Sequence, residues 1–223
     1  MRENIELTFS KYTLLGILIS LILLSTISIP VRAQQYWYAG GIWDSITNWN
    51  YQTHGVEARI QCKPGWVYYG HVNGYVTIEF LPTDTGRWFI EIGWIKRHIF
   101  WGAIKWYYSY CIDGDQYVFD QDVIEYGSWH YYRIARDYPH FEWYVYFDGQ
   151  PTIIHMFYFG GGFIRAIGES VPLSSNELDS YFNFVKYYYN QVWSYWDNID
   201  TFNDPPYYIT VTHPWEFRTY GPI

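Results

Sequence analysis

Hydrophobic and polar residues alternate along most of the chain with a period of two residues. In the stretch RWFIEIGW, residues 87–94, the apolar side chains Trp88, Ile90, Ile92 and Trp94 fall on one face of an extended strand, because successive side chains point to opposite faces. Further segments repeat this period, and residues typical of turns end each of them. The predicted strands are 56–62, 72–80, 87–94, 103–112, 129–135, 141–147, 152–159, 163–170, 182–189 and 207–213.

Short strands at this regular spacing are typical of a β-sandwich or a β-barrel. Asp148-Gly149 is a strong hairpin signal between two of them. The only helical signal in this part of the chain is at 174–178, where the sequence predicts one short helical turn. We therefore predict one all-β domain.

The first 33 residues do not show this alternating pattern. An apolar run from Leu14 to Ile29 follows a short polar start, and small residues surround Ala33, where a signal peptidase would cut. The run predicts an N-terminal hydrophobic helix in residues 1–33, which is either a cleaved signal peptide or, if retained, a membrane anchor through residues 14–29. In both cases residues 34–223 form the β-sandwich domain and lie outside the cell, secreted or anchored.

The aromatic content and the net charge of the chain limit the classes of ligand that it could bind. Phe, Trp and Tyr make up 24% of the chain, with 26 tyrosines, too many rings for the core of one domain. Some of these rings are therefore expected to line a surface or a groove. The alternative is that tyrosine-rich strands are a general feature of the composition of extracellular proteins. The formal net charge is −8, and −9 without the first 33 residues, which argues against a nucleic-acid partner.

Two cysteines, Cys62 and Cys111, belong to the exported part. In an oxidising compartment a single pair predicts one disulfide, which would stabilise the fold by about 4 kcal/mol on the chain-entropy description. Two buried thiols are the alternative.

Two glutamates occupy comparable places, late in apolar strands and beside a glycine. Glu91 lies in FIEIGW, and Glu169 lies in IRAIGES. When two carboxyl groups share one water, the ionised group draws a proton from it and the protonated group polarises the scissile carbonyl or protonates the leaving group. The alternative for Glu91 is an ion pair with Arg87 or another cation on a solvated sheet face.

These stretches resemble motifs of the glutamic peptidases, a family that includes the eqolisins, with a catalytic Gln and Glu, and the neprosins, with two Glu. Glu91-Ile92-Gly93-Trp94 is similar to the (Q/E)-x-G-aromatic motif of the first catalytic residue. Ala166-Ile167-Gly168-Glu169 is similar to the A-x-x-E motif of the second, and 143–149 resembles a W-x-x-x-x-D-G strand between them. The resemblance spans residues 55–186, and the extra cysteines of the plant neprosins are not found in the chain.

The resemblance implies a concanavalin-like β-sandwich of the jelly-roll type, with Glu91 and Glu169 as the catalytic pair on one sheet face. Phe89 and Tyr107 are then expected to line the groove beside Glu91. Trp94 either closes a binding subsite or packs in the core. Arg165 is expected to pair with Glu169 and lower its pKa, which would make Glu169 the base and Glu91 the proton donor.

Other chemistries have weaker support in the sequence. The seven histidines are scattered singly, so no metal site is predicted, and no cofactor is implied. No G-x-S-x-G motif marks a nucleophilic serine.

Three hypotheses follow. The first is an acid-acting endopeptidase of the glutamic type with a polypeptide substrate. The second is a non-catalytic binding module whose aromatic side chains stack on a surface glycan. The third is a viral or cell-envelope structural protein with an aromatic interface.

Overall fold

The computed structural model describes residues 36–43, 53–80, 88–98, 102–137, 142–154 and 161–222, all of which belong to the compact unit Gln34–Ile223. The predicted N-terminal helix in residues 1–33 lies outside the described residues, as do positions 155–159 of one predicted strand. Among the described residues, no helix is long and apolar enough to cross a membrane.

Two antiparallel β-sheets pack face to face, which confirms the predicted all-β sandwich. The front sheet has the strand order β13-β1-β10-β3-β4-β5-β6, and the back sheet has the order β14-β15-β11-β2-β7-β8-β9, with β12 pairing to β11. The strands are β1 (Trp37–Ile42), β2 (Gly55–Cys62), β3 (Gly70–Phe80), β4 (Trp88–Arg97), β5 (Ile104–Ile112), β6 (Asp115–Ile124), β7 (Trp129–Arg136), β8 (Trp143–Phe147), β9 (Gln150–Ile154), β10 (Phe163–Pro172), β11 (Leu178–Tyr189), β12 (Val192–Tyr195), β13 (Asp200–Asn203), β14 (Tyr208–His213) and β15 (Glu216–Gly221).

The core lies between the two sheets. In β4, the side chains of Ile90, Ile92 and Trp94 are fully buried in it, as the period-two pattern predicts. Burying one large apolar side chain stabilises the fold by roughly 1.5–3 kcal/mol. Trp94 is 0% exposed, so it packs in the core and cannot serve as the wall of a binding subsite.

The structure contains strands that the apolar pattern did not indicate. The clearest is β6, in which most side chains are exposed. Among the described strands it lies at the edge of the front sheet and pairs with β5 alone. Because backbone hydrogen bonds to one neighbour suffice for such a strand, it needs no alternating apolar side chains.

The predicted helical turn at 174–178 is wrong. Residues 174–176 form turns and bends, and β11 begins at Leu178. The buried side chain of Asn176 explains the difference, since its Oδ1 accepts the Tyr68 N–H at 2.9 Å and its Nδ2 donates to the Tyr69 carbonyl at 2.9 Å. An amide that bonds to a distant backbone segment favours a turn over a helix.

The predicted disulfide is not formed, and Cys62 and Cys111 are both buried. Cys62 is in β2 of the back sheet, where it belongs to the core. Cys111 is in β5 of the front sheet, directly opposite Phe89, a residue that faces away from the core. The backbone of the front sheet therefore separates the two thiols, which a disulfide cannot bridge without close Cβ atoms.

Candidate active site

The outer face of the front sheet carries a cavity of about 510 Å³, called the front cavity below. Its lining comes mainly from alternate residues of β10, β3 and β4, those that point away from the core. The lining residues are Tyr36, Tyr38, His71, Asn73, Tyr75, Thr77, Glu79, Phe89, Glu91, Ile95, Arg97, Tyr107, Gln116, Val118, Arg165, Ile167, Glu169, Phe202 and Asp204.

Both predicted glutamates line this cavity, and β3 lies between their strands. Glu91 of β4 is opposite Thr77, whereas Glu169 of β10 is opposite Asn73. On a flat sheet, the offset of four residues and two strand spacings would put their Cα atoms about 17 Å apart. The carboxyl groups come closer than this, because both side chains point into the same cavity beside Tyr75, whose pKa the charges of both raise. Tyr75 occupies the row midway between them.

The glycine of the Glu91 motif has a structural role. Gly93 lies opposite Tyr75. A Cβ atom at Gly93 would come within 2.1 Å of the Gly74 carbonyl oxygen and 2.6 Å of the Tyr75 Cα and Cβ atoms. Because two of these are backbone atoms, no rotamer change can make room. Glycine therefore permits the close approach of β3 to β4 next to the site.

Glu169 is 7% exposed and is held by hydrogen bonding. The hydroxyl of Tyr75 donates to its Oε2 at 2.7 Å. The Nε2 of His71 lies 3.9 Å from Oε1, too far for a hydrogen bond. Burial, reinforced by the positive charge of Arg97, lowers the pKa of His71 to about 4, against a smaller opposing effect of Asp120. His71 is thus neutral over most of the pH range, and the Tyr75 hydroxyl is the donor that favours an ionised Glu169.

Glu91 is 8% exposed and has a different donor. The Ser109 hydroxyl, from the directly opposite position on β5, donates to its Oε1 at 2.6 Å. Gln116 Nε2 approaches the Ser109 oxygen at 3.4 Å. Ser109 therefore fixes the carboxyl group of Glu91 at the cavity wall.

Two buried tyrosines, Tyr75 and Tyr107, line the cavity near both glutamates. Burial raises the pKa of both Tyr75 and Tyr107 well above the ordinary value, and the negative charges of Glu169 and Glu91 raise both further. Each phenol therefore keeps its proton and remains a hydrogen-bond donor. Asn73 Nδ2 donates to the Tyr107 hydroxyl oxygen at 3.0 Å, which leaves the Tyr107 proton available to a ligand in the cavity.

The predicted Arg165–Glu169 ion pair is not formed. Arg165 lies in the front cavity, but its Nη1 pairs with Glu79 of β3 at 3.1 Å. Glu79 belongs to the adjacent strand β3 and lies only two residues from Thr77, the position opposite Arg165, so its carboxyl group is within reach of the guanidinium. Arg97 pairs with Asp120 at 3.1 Å in a two-point contact.

The structure brings five of the predicted site residues together at the front cavity: Glu91, Glu169, Phe89, Tyr107 and Arg165. The sequence prediction missed Asn73, Tyr75 and His71. All three alternate with the apolar residues of β3, so the polar face of that strand was the signal that could have revealed them. Within the part of the chain that the structure describes, no group of three or more His, Cys, Asp or Glu side chains could hold a metal ion.

The chain is similar to known proteins in its structure but not in its sequence. The sequence matches no known family profile and no curated protein. Among solved structures, the chain is similar to scytalidoglutamic peptidase bound to a peptide-based transition-state analogue, with a TM-score of 0.60, 11% identity and coverage of 85% of this chain and 100% of that one. It is also similar to SCP-B, a member of the eqolisin peptidases, in complex with the tripeptide Ala-Ile-His, with a TM-score of 0.56, 10% identity and coverage of 86% and 100%.

The fold is similar to that of these glutamic peptidases. At this identity the likeness concerns the fold alone.

Proposed function

We propose that the protein is an exported, acid-acting endopeptidase of the glutamic type, in which Glu91 and Glu169 activate one water molecule. The observation that carries the proposal is that the buried Glu91 and Glu169 line a single cavity on the sheet face of a glutamic-peptidase fold, together with a third buried glutamate, Glu79, which pairs with Arg165. Buried carboxyl groups are uncommon on solvated sheet faces, where glutamate is normally exposed.

The two carboxyl groups take different roles. We assign Glu169 as the base, and the Tyr75 hydroxyl that donates to it stabilises its ionised form. The Ser109 hydroxyl donates to Glu91 in the same way, so the assignment follows the sequence prediction rather than hydrogen bonding alone. Glu91 is the protonated partner, which donates a hydrogen bond to the carbonyl oxygen as negative charge develops there. This assignment is the one expected from sequence, but the supporting partner is Tyr75 rather than Arg165.

The reaction proceeds in two proton transfers. Glu169 takes a proton from the water as the water oxygen attacks the scissile carbonyl carbon. The negative charge that develops on the carbonyl oxygen is met by the proton of Glu91 and by the hydroxyl of Tyr107, which Asn73 orients. Glu169 then returns its proton to the leaving amine, and the C–N bond breaks.

The requirement for one ionised and one protonated glutamate predicts activity in acid, because an ordinary glutamate loses its proton near pH ~4.3. A polypeptide substrate is the natural proposal, since the similar solved structures contain a peptide-based analogue and a tripeptide. The aromatic side chains of the cavity, among them Tyr38, Phe89 and Phe202, provide apolar contacts for such a chain.

The test is cleavage of a denatured protein between pH 2 and 7 by the wild type, Glu91→Gln and Glu169→Gln. Glu125→Gln serves as the control, because Glu125 is exposed and lies outside the front cavity. The proposal predicts loss of cleavage in the two cavity variants and an unchanged rate in the control. Equal rates in all four proteins, or no cleavage at any pH, would refute it.

A second candidate, a non-catalytic glycan-binding module, is favoured by one observation. Four large aromatic side chains near the β2–β3 connection are strongly exposed: Trp66 at 71%, Tyr68 at 58%, Tyr69 at 62% and Tyr126 at 67%. Exposed aromatic faces pack against the apolar faces of sugar rings. Glycan binding that is lost in Trp66→Ala, without any hydrolysis by the wild type, would support this function over the first.

A further inference from the structure

A second hydrogen-bonded cluster lies outside the front cavity, and it consists of His130 in β7 of the back sheet, Ser128 just before that strand and Asp148 in the turn after β8. The Ser128 Oγ is 2.8 Å from the His130 Nε2. The other ring nitrogen, His130 Nδ1, is 2.7 Å from the Asp148 Oδ2. A hydroxyl, an imidazole and a carboxylate are therefore connected through the two opposite nitrogens of the ring, which is the connectivity of a serine nucleophile with its base.

The fold holds the base and the carboxylate firmly. Asp148 occupies the two-residue turn between β8 and β9, and its Oδ1 accepts the Tyr131 N–H at 2.8 Å. The Asp148 N–H in turn donates to the Tyr131 carbonyl at 2.9 Å. The imidazole of His130 stacks on the ring of Phe147, with 4.9 Å between centroids. These contacts fix the ring plane, so that Nε2 points to Ser128.

The proton of Ser128 has two acceptors, and the protonation state of His130 selects between them. Asp148 can only accept when ionised, so it keeps a proton on His130 Nδ1. In the neutral ring Nε2 then has a lone pair, and the Ser128 hydroxyl donates to it. In the doubly protonated ring Nε2 donates instead, and the hydroxyl turns to the Glu125 carbonyl at 2.5 Å.

The backbone amides of Gly127 and Ser128 limit the reactions in which Ser128 could act as a nucleophile. The Ser128 N–H donates to the Glu125 carbonyl at 3.2 Å, and the Gly127 N–H donates to the Cys62 carbonyl at 2.6 Å. Neither amide is available to stabilise an oxyanion. A nucleophile with a base but without these donors requires a substrate with a good leaving group.

Access to the cluster is open on one side. The side chain of Asp148 is 43% exposed and that of His130 is 18% exposed, and Ser128 is half-buried. The Cys62 Sγ lies 3.6 Å from the Ser128 Oγ, but Cys62 is 0% exposed and burial raises the pKa of its thiol. The serine is therefore the nucleophile that a reagent from solvent would meet.

We propose that Ser128 is a nucleophile, activated by His130 and oriented through Asp148, that accepts acyl or phosphonyl groups from activated esters and halides. The Ser128 oxygen attacks the electrophilic carbon or phosphorus, and its proton passes to His130 Nε2. The new O–C or O–P bond forms as the bond to the leaving group breaks. The leaving group departs with the electron pair, as an anion or with the proton from the imidazolium.

The test uses the full chain and an alkyl fluorophosphonate, which loses fluoride when a serine oxygen attacks its phosphorus. Labelled peptides are mapped by mass spectrometry in the wild type, His130→Gln and Asp148→Asn. The internal control is Ser174, which is half-buried in a turn and has no histidine in hydrogen-bond contact among the described residues. Asparagine at 148 can still accept the Tyr131 N–H, but it no longer imposes the ring tautomer.

The expected result is labelling of Ser128 at least about 100-fold faster than of Ser174, because a positioned general base contributes at least this factor. Labelling of Ser128 should fall by a similar factor in both variants, with circular dichroism like that of the wild type. Equal labelling of the two serines, no labelling of Ser128, or undiminished labelling in His130→Gln would overturn the proposal. If a variant does not fold, the comparison of the two serines in the wild type decides alone.

Discussion

Removing a single oxygen atom, in Tyr75→Phe, tests how the candidate site keeps Glu169 ionised. Tyr75 is 5% exposed, and burial keeps its phenol protonated through the whole working range of pH. The substitution therefore changes no charge and leaves the ring in place. What it removes is the hydrogen bond from the hydroxyl to the Glu169 Oε2, at 2.7 Å.

The expected size of the effect follows from the type of hydrogen bond that the substitution removes. A hydrogen bond to a charged group stabilises a protein by about 1.5–3 kcal/mol. One pH unit corresponds to about 1.4 kcal/mol, so the acid limb of kcat/KM should move upward by roughly 1–2 pH units. At pH values where the carboxylate is ionised, Tm should fall by roughly 3–12 °C. The Tm difference should shrink as the pH falls, because a protonated Glu169 gains little from the lost donor.

The assay is the pH dependence of peptide cleavage together with thermal unfolding at several pH values. Tyr144→Phe is a matched control, because the Tyr144 hydroxyl also donates to a glutamate, Glu142, at 2.9 Å, but on the back sheet. The control should leave the acid limb where it is. An unmoved acid limb in Tyr75→Phe, with cleavage retained, would show that Tyr75 does not support the base.

Three further predictions concern the surroundings of the site and the fold. Gly93→Ala should lower the free energy of unfolding by about 1–3 kcal/mol or more in urea titrations, since the added Cβ would meet the Gly74 carbonyl oxygen at 2.1 Å; wild-type stability would contradict the close strand contact. The pKa of His71 is about 4 in the folded chain, so the unfolded chain takes up this proton first as the pH falls. This group should therefore make stability rise between pH 4 and 6.5 by on the order of 3 kcal/mol, and the rise should be smaller by this amount in His71→Gln. Because Cys62 and Cys111 are not bonded to each other, a reductant should leave Tm unchanged, whereas an intact disulfide would give a large drop.

The sequence pattern was sufficient to place single strands and the faces of their side chains. Alternation in β4 put Trp88, Ile90 and Ile92 on one face and Glu91 on the other, and the structure has this arrangement. The polar edge strand β6 lacks the alternating apolar pattern from which the other strands were predicted, because an exposed edge strand does not need it.

Relations between strands distant in sequence could not be predicted in the same way. The pairing of β10 with β3 decides that Arg165 meets Glu79 rather than Glu169. The same pairing brings Tyr75 to Glu169. Register depends on the whole sheet and not on local residue type, so the ion pair was wrongly assigned and the tyrosine was missed.

The cysteine prediction was wrong for a related reason. Cys62 and Cys111 are each in an apolar alternating strand, and nothing local indicates which sheet each strand joins. Only the sheet order places one in the back sheet and the other in the front sheet.

The measurement that tests the central claim most directly is a crystal structure at acid pH with a peptide-based transition-state analogue. We expect the analogue to lie in the front cavity, with the carboxyl groups of Glu91 and Glu169 about 4–7 Å apart. One oxygen of the analogue should then lie within hydrogen-bond reach, about 2.6–3.2 Å, of both groups. Carboxyl groups too far apart to share one oxygen, or an analogue bound away from them, would contradict it.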